Sequence, residues 1–479
     1  MVNSCPTLFE AVTMLVKAAD KRGRNLQMPG EPKYQPNELK PYLGYDQRVG
    51  WQILVEWFWM ETLSQSSTMP AEHAALLTPK LLDTMLQNIT ETKVANLERT
   101  KTHHDILALL ELMRRYLPKT LHRYLHLGLT SYDVVCTANA LQLRWTFNRV
   151  FRPQIVQLDK LWRQRIEQQA AVVRSGRTHL QVALPVTMGS WLAVLHSRFA
   201  GCSQRLASLT ELVTGKFSGA VGTKAALLTL AKQDLESLSL QILGLPQAKI
   251  STQIVQPEDV ARYYSELGLL SAALSNLGDD VRHLQASGIE EVTSASSTSS
   301  TMAHKINPVA AENLDGMNVH VRCDVLKVIE TTNSTLERDL RYSNVIRSYP
   351  SVMVFCYQQL KTADRLFKTF QVDQQRCLEN LQRTGKLMVA ELLHLSLQLA
   401  GYPQAHQFVN QKIVPQAKRS GRNLREEMEA FLLRSRDKRL HRSWQEIPAE
   451  TKEMLTYPAN YLGSAIQTAR EEADNVVKL

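Results

Sequence analysis

The sequence has little glycine, no closely spaced cysteines and almost no period-two alternation of apolar and polar residues. Its 20 glycines among 479 residues fall below the roughly 7 % usual for globular chains. With apolar residues recurring at steps of three and four, this points to a mostly α protein. The six cysteines, Cys5, Cys136, Cys202, Cys323, Cys356 and Cys377, form no C-x-x-C pair. That excludes a small disulfide framework and zinc-ligand spacing, and it fits reduced thiols in a cytoplasmic protein. Thr178–Ser197 lacks Lys, Arg, Asp and Glu, but His179, Gln181 and Pro185 argue against a membrane span. Glu10 interrupts the apolar patch Leu8–Val16 and no small-residue cleavage site follows, so no signal peptide is expected.

What is present is positive charge and long helical periodicity. A formal charge of +10 suggests anionic partners, either nucleic acid or a small polyanionic substrate. No basic run is interleaved with aromatics, which makes nucleic acid the weaker of the two. The run Met188, Leu192, Leu195, Phe199, Cys202, Leu206, Leu209, Val213 steps in alternating fours and threes, the seam of a helix packed lengthwise in a bundle. Residues 133–173, interrupted by Pro153, and residues 258–286, 308–335 and 345–370 read as further bundle helices. The expected architecture is all-α in three domains: 1–118 N-terminal, 119–371 a central long-helix bundle, and 372–479 C-terminal. Five such helices leave apolar faces to spare, which argues for association with sister chains. The alternative is a monomer whose end domains cover those faces.

Several stretches carry possible chemistry. Residues 296–314 run from small hydroxyl residues through His304-Lys305 to Asn307-Pro308. Asn307 is expected as an N-cap and Pro308 as the first helical residue, so a hydroxyl-rich loop would feed a helix start that favours anions. Taken alone, a Ser/Thr-rich run is more often a solvated linker. Arg338, Arg341, Ser343 and Arg347 lie within one short segment, a set suited to a phosphate dianion because guanidinium forks bind its oxygens in pairs; the plain alternative is an ion-paired turn. His104 and its neighbour His103 sit at a helix start, and adjacent histidines diverge, so they are no metal pair. Thr130 or Ser131 would cap a long helix with Asp133 in its first turn. His179 lies in a segment without charge after Arg177, where partial desolvation would tune it near neutral pH.

Together these segments resemble the fumarase/aspartase superfamily of lyases. The order S-S-T-M-A-H-K-I-N-P resembles its signature loop, most closely in the adenylosuccinate lyase branch, where G-S-S-x-M-P-x-K-x-N-P is usual; Thr298 replaces the Gly and Ala303 the Pro. T-H-H-D-I-L-A resembles the H-D-V-x-A element and points to His104 rather than His103. L-G-L-T-S-Y-D resembles the first signature region, and S-G-R-T-H-L-Q the R-T-H-x-Q element, with Leu180 where that branch has Gly. F-S-G-A-V-G-T resembles a small-residue hinge where backbone approaches ligand, and S-T-Q-I-V-Q the T-Q-x element. E-R-D-L-R-Y-S-N-V-I-R matches the spacing of the nucleotide-phosphate motif, which speaks for the nucleotide branch.

The resemblance implies elimination of fumarate from an N-succinyl purine nucleotide by a homotetramer whose sites are shared between chains. It implies Ser299 as the base, with Lys305 and Asn307 stabilising the aci-carboxylate, and His179, steered by His104, as the acid. Thr130 and Ser131 would bind the substrate carboxylate, and Thr178, Gln253, Ser300 and Met302 would contact substrate. Arg338, Ser343 and Arg347 would hold the phosphate. No metal or organic cofactor is implied. An N-terminal Arg-Tyr pair common in the branch has no clear equivalent; Lys33-Tyr34 and Lys40-Pro41-Tyr42 are the nearest stand-ins. The rival readings are another lyase or cycloisomerase of the superfamily, or a non-catalytic helical nucleic-acid-binding protein.

Overall fold

Helix Gln47–Gln65 (α1) buries almost every side chain, including Trp51, Trp57 and Trp59. A helix buried on every face sits inside a protein, and the rest of the N-terminal region packs about it. The computed structural model describes residues 5–21, 25–26, 31–66, 68–231, 233–294, 301–338 and 341–479. Asp105–Arg114 (α2) follows a single π-helical turn, Glu98–Thr102.

Ser131–Thr146 (α3) and Arg152–Gln169 (α4) are joined by another π-helical turn, Phe147–Phe151. Pro153 explains the join. Its ring would clash with a carbonyl one turn back and it has no N–H to donate, so widening the turn lets the chain continue. The same device precedes Pro415, where Val409–Ile413 is π-helical.

The expected helix to residue 173 stops at Gln169. The chain instead forms an antiparallel hairpin of Val173–Thr178 (β1) and Gln181–Thr187 (β2), with Val173 opposite Thr187 and Thr178 opposite Gln181. The fold is therefore mostly helical rather than all-α. The β-branched residues of these segments suit a pleated surface, and His179 and Leu180 form the two-residue tip. Both tip residues have positive φ, 52° and 58°, as a primed hairpin turn requires. Leu180 thus takes a left-handed position that favours glycine. A second small sheet pairs Val292–Thr293 (β3) with Gln371–Val372 (β4).

The bundle consists of α4, Met188–Leu212 (α5), Pro257–Gln285 (α6), Val309–Glu330 (α7) and Pro350–Thr369 (α8). Helix α6 packs on α5, α7 and α8, and α4 packs on α5 and α8. The seam on α5 is observed: Met188, Leu192, Leu195, Phe199, Cys202 and Leu206 are buried. The expected helix 345–370 is divided at Pro350, leaving Ser343–Ile346 as a separate turn. Helix α7 starts later than expected. Pro308 occupies the cap position with ψ 50°, and no side chain caps the helix, so Asn307 is not its N-cap.

Ala465–Asp474 (α9) returns to lie on α4 and α5. His196 of α5 lies between Asp159 of α4 and Glu472 of α9, at 2.9 and 2.6 Å. A second apolar cluster, separate from the main one, gathers residues between Val389 and Leu455. No helix among the described residues is long and apolar enough to cross a membrane.

One buried ion pair ties the start of α3 to the chain that leaves α5. Lys216 and Asp133 are both fully buried and contact each other directly. Asp133 also accepts from the N–H groups of Thr130 at 2.8 Å, Ser218 at 3.1 Å and Gly219 at 3.2 Å. Removing one partner strands the other charge in the interior, so Asp133→Asn should cost about 3–5 kcal/mol. Denaturant unfolding checks this, and a loss under about 1 kcal/mol would contradict the pair's structural role.

Candidate active site

The start of α3 forms one wall of a cavity of about 540 Å³. Asp133 reaches back to the N–H of Thr130, the residue that caps the helix. That contact fixes where the first turn begins, so Ser131 and Tyr132 face the cavity. The loop before α3 is fastened to α1. Trp59 Nε1 donates to Leu127 O at 3.1 Å, and His126 Nδ1 lies 2.6 Å from the buried Glu56.

The head of α2 forms the adjoining wall. His103 takes a left-handed conformation after the π-helical turn, and His104 becomes the N-cap. His104 Nδ1 accepts from the N–H of Ile106 at 3.2 Å. In the neutral ring the proton is then on Nε2, which donates to Ser131 Oγ at 3.2 Å. His104 and Ser131, expected to share a site, are thus joined by a hydrogen bond. His103 lines the cavity as well.

A third wall comes from the loop after α7. Arg338, Ser343 and Arg347 line the cavity together with Gln253, which is tied to that loop because its N–H donates to Glu337 O at 3.2 Å. The Arg338 guanidinium lies over the Tyr132 ring, 4.9 Å from its centroid, and donates to the Tyr132 hydroxyl at 3.2 Å. Its Nε is buried and has no partner among the described residues. A buried unpaired donor is costly, and an oxygen-bearing ligand would satisfy it. Arg347 Nη2 donates to Asp105 Oδ2 at 2.9 Å. Burial raises the Asp105 carboxyl, but Arg48, the N–H of Ile106 and Arg347 outweigh it and hold the group below the usual carboxylate range.

Other expected site residues lie elsewhere. Thr130 caps α3 behind the wall rather than lining it. Thr178 and His179 are exposed at the hairpin tip, so the desolvation expected of His179 is absent within one chain; a two-residue turn at the end of a ribbon has nothing packed over it. Met302 and Lys305 are exposed and Asn307 is half-buried where the chain enters α7, none of them on the cavity wall. Ser299 and Ser300 lie outside the described residues. The segment 217–223, expected to approach ligand, approaches protein instead: a Cβ on Gly222 would meet Ser251 O at 2.0 Å.

The hairpin and the entry to the signature loop share one end of the bundle. Glu291, fully buried immediately before β3, accepts from Arg177 at 2.8 and 3.1 Å and from Asn380 at 3.0 Å. The cavity lies at the other end. It takes the N-terminal turns of α6 and α8 and the segment following α7, whereas the signature loop joins the C-terminus of α6 to the N-terminus of α7. At about 1.5 Å per residue, the 22 residues of α7 and 29 of α6 separate the two ends by roughly 33–44 Å.

Sequence reasoning missed Tyr45 and Arg48, which line the cavity where the N-terminal arm meets α1. Arg48 is the single basic residue in an otherwise buried helix, and that isolation was the available signal. The stand-ins do not reach the wall. Tyr34 packs against Phe355, and the Tyr42 carbonyl accepts from Trp51 and Gln142.

Residues 64–323 match the family described as Lyase. The chain is 32 % identical over 411 residues to the adenylosuccinate lyase of Pyrococcus horikoshii, covering 81 % of this chain and 86 % of that protein. It is 29 % identical over 448 residues to that of Methanothermobacter thermautotrophicus, covering 91 % and 96 %. Among solved structures, fumarate lyase from Mesorhizobium sp. BNC1 shares the fold at a TM-score of 0.78 and 23 % identity, covering 93 % of this chain and 99 % of that one. The 3-carboxy-cis,cis-muconate lactonizing enzyme of Pseudomonas putida does so at 0.78 and 24 %, covering 92 % and 97 %. The chain belongs to the lyase family that includes the adenylosuccinate lyases, within the fumarase/aspartase superfamily, and is a lyase.

Proposed function

We propose that this lyase splits adenylosuccinate into fumarate and AMP, and acts likewise on the succinyl-carboxamide ribotide of purine biosynthesis. The observation that carries the reading is the placement of Arg338, Ser343 and Arg347 in the same cavity as His104 and Ser131. Guanidinium forks at one wall suit a phosphate dianion. The Ser131 hydroxyl and His104 beside them suit the succinyl carboxylates. A fumarase or a carboxymuconate cycloisomerase has no phosphate for the arginines to hold.

In the proposed chemistry Ser299, as alkoxide, takes the proton from Cβ of the succinyl group. The electron pair spreads into the neighbouring carboxylate, where Lys305, Asn307 and loop N–H groups stabilise it. The Cα–N bond then breaks, its electrons leave with nitrogen, and His179 supplies the proton that nitrogen needs. Thr130, Ser131, Thr178, Gln253, Ser300 and Met302 position the substrate. His104 orients the acid.

His179 and the described entry to the signature loop sit at one end of a chain and the phosphate-binding groups at the other, so in this reading a complete site needs neighbouring copies. Exposed Val194, Leu269, Val319 and Leu326 on α5, α6 and α7 supply apolar surface for such copies. The assembly proposed is a cytoplasmic homotetramer with each site drawn from several chains.

An ultraviolet assay of adenylosuccinate cleavage tests the reaction. Wild-type protein should turn over, and Ser299→Ala and His179→Ala should each lose at least about a hundredfold in kcat. Near-normal turnover in either variant refutes its role, and inactivity of the wild type refutes the substrate. A second experiment mixes His179→Ala with Arg338→Ala under conditions of subunit exchange. Activity absent from both parents should return in the mixture, because hybrid assemblies contain sites with both residues intact. No return would mean that each chain builds its own site.

A further inference from the structure

Two arginines of the cavity converge on a single carboxylate. Asp105 Oδ2 accepts from Arg347 at 2.9 Å and from Arg48 at 3.4 Å, and Oδ1 lies 3.4 Å from His104 Nδ1. The two arginines are held unequally. Arg48 is also tied to Glu91, with Nε donating to Oε2 at 3.1 Å. Arg347 has a side chain 46 % exposed, so its hold on Asp105 is the more solvent-screened of the two. The cavity wall carries Arg48, Arg338 and Arg347 against Glu98 and Asp105. These side chains carry three positive and two negative charges, so a dianion gains most by taking Arg347 from Asp105.

We propose that Asp105 is a specificity-determining residue: it occupies Arg347 until a phosphate dianion displaces it towards Arg48. The proposal rests on the nucleotide reading of the site. A dianion gains Arg347 and Arg338 together, whereas a neutral nucleoside offers Arg347 nothing that Asp105 does not already supply. Asp105 Oδ1 and His104 Nδ1 both accept from the N–H of Ile106, so moving the carboxylate shifts the histidine bonded to Ser131, and phosphate binding bears on the part of the site where the succinyl group sits. Asp105 acts through Arg347 and His104 and is a positioning residue in that sense.

The test compares binding of AMP and of adenosine to wild type and to Asp105→Asn by calorimetry, with turnover measured alongside. Relief of internal competition should lower Kd for AMP roughly tenfold and leave adenosine unchanged, while kcat falls. Damage to the site would weaken AMP instead, so the opposite signs in binding and turnover identify the role. Equal or weaker AMP binding by the variant, with wild type still cleaving adenylosuccinate, overturns the displacement alone. Failure of AMP to bind either protein overturns it together with the nucleotide reading. A crystal structure of the wild type with AMP gives an answer that does not depend on the variant folding. The Asp105–Arg347 contact should be open, and a contact kept at 2.9 Å would overturn the proposal.

Discussion

The buried Lys216–Asp133 pair is the constraint on which the cavity depends. Two charges enclosed in apolar surroundings tolerate one another only if every remaining lone pair and proton is satisfied. Asp133 meets that condition by accepting from Lys216 and from the N–H groups of Thr130, Ser218 and Gly219. Lys216 donates a second time, to Gly219 O at 3.1 Å. The result fixes the first turn of α3 against the chain leaving α5. Ser131 and Tyr132, one and two residues past the cap, inherit that position. Through them so do His104, bonded to Ser131, and Arg338, which lies over Tyr132.

At the far end of the bundle Glu291 has the corresponding task. It stands immediately before β3 and holds Arg177 of the hairpin and Asn380 of the following helical region. Entry to the signature loop and the strand leading to His179 are thereby kept side by side, although more than a hundred residues separate them in the chain. Long straight helices make the ends rigid with respect to each other. The same length keeps the two ends apart within one chain.

Local order in the chain made much of this legible. The stepwise seam on α5 predicted a lengthwise-packed helix, and all of its residues but the half-buried Leu209 are buried. His104, Ser131, Gln253, Arg338, Ser343 and Arg347 all reach one cavity. Each of them lies on or beside a helix end whose position the motif spacing marks. The hairpin was not legible, because short strands meeting at a Leu-containing tip lack the Asn-Gly or Asp-Gly turn that announces such ribbons. Arg48 was missed because a single cation at the head of an apolar helix has no periodicity to reveal it.

Residue types and their spacing alone determined the helical class, the bundle and the set of chemical groups, since periodicity and turn chemistry act over a few residues. Tertiary structure decided which of those groups meet. That His104 bonds Ser131, that Asp105 bridges Arg48 and Arg347, and that His179 stands at the opposite end from Arg338 follow from packing between segments far apart in the chain. Such contacts are set by burial and charge satisfaction across the whole core, and no local pattern encodes them.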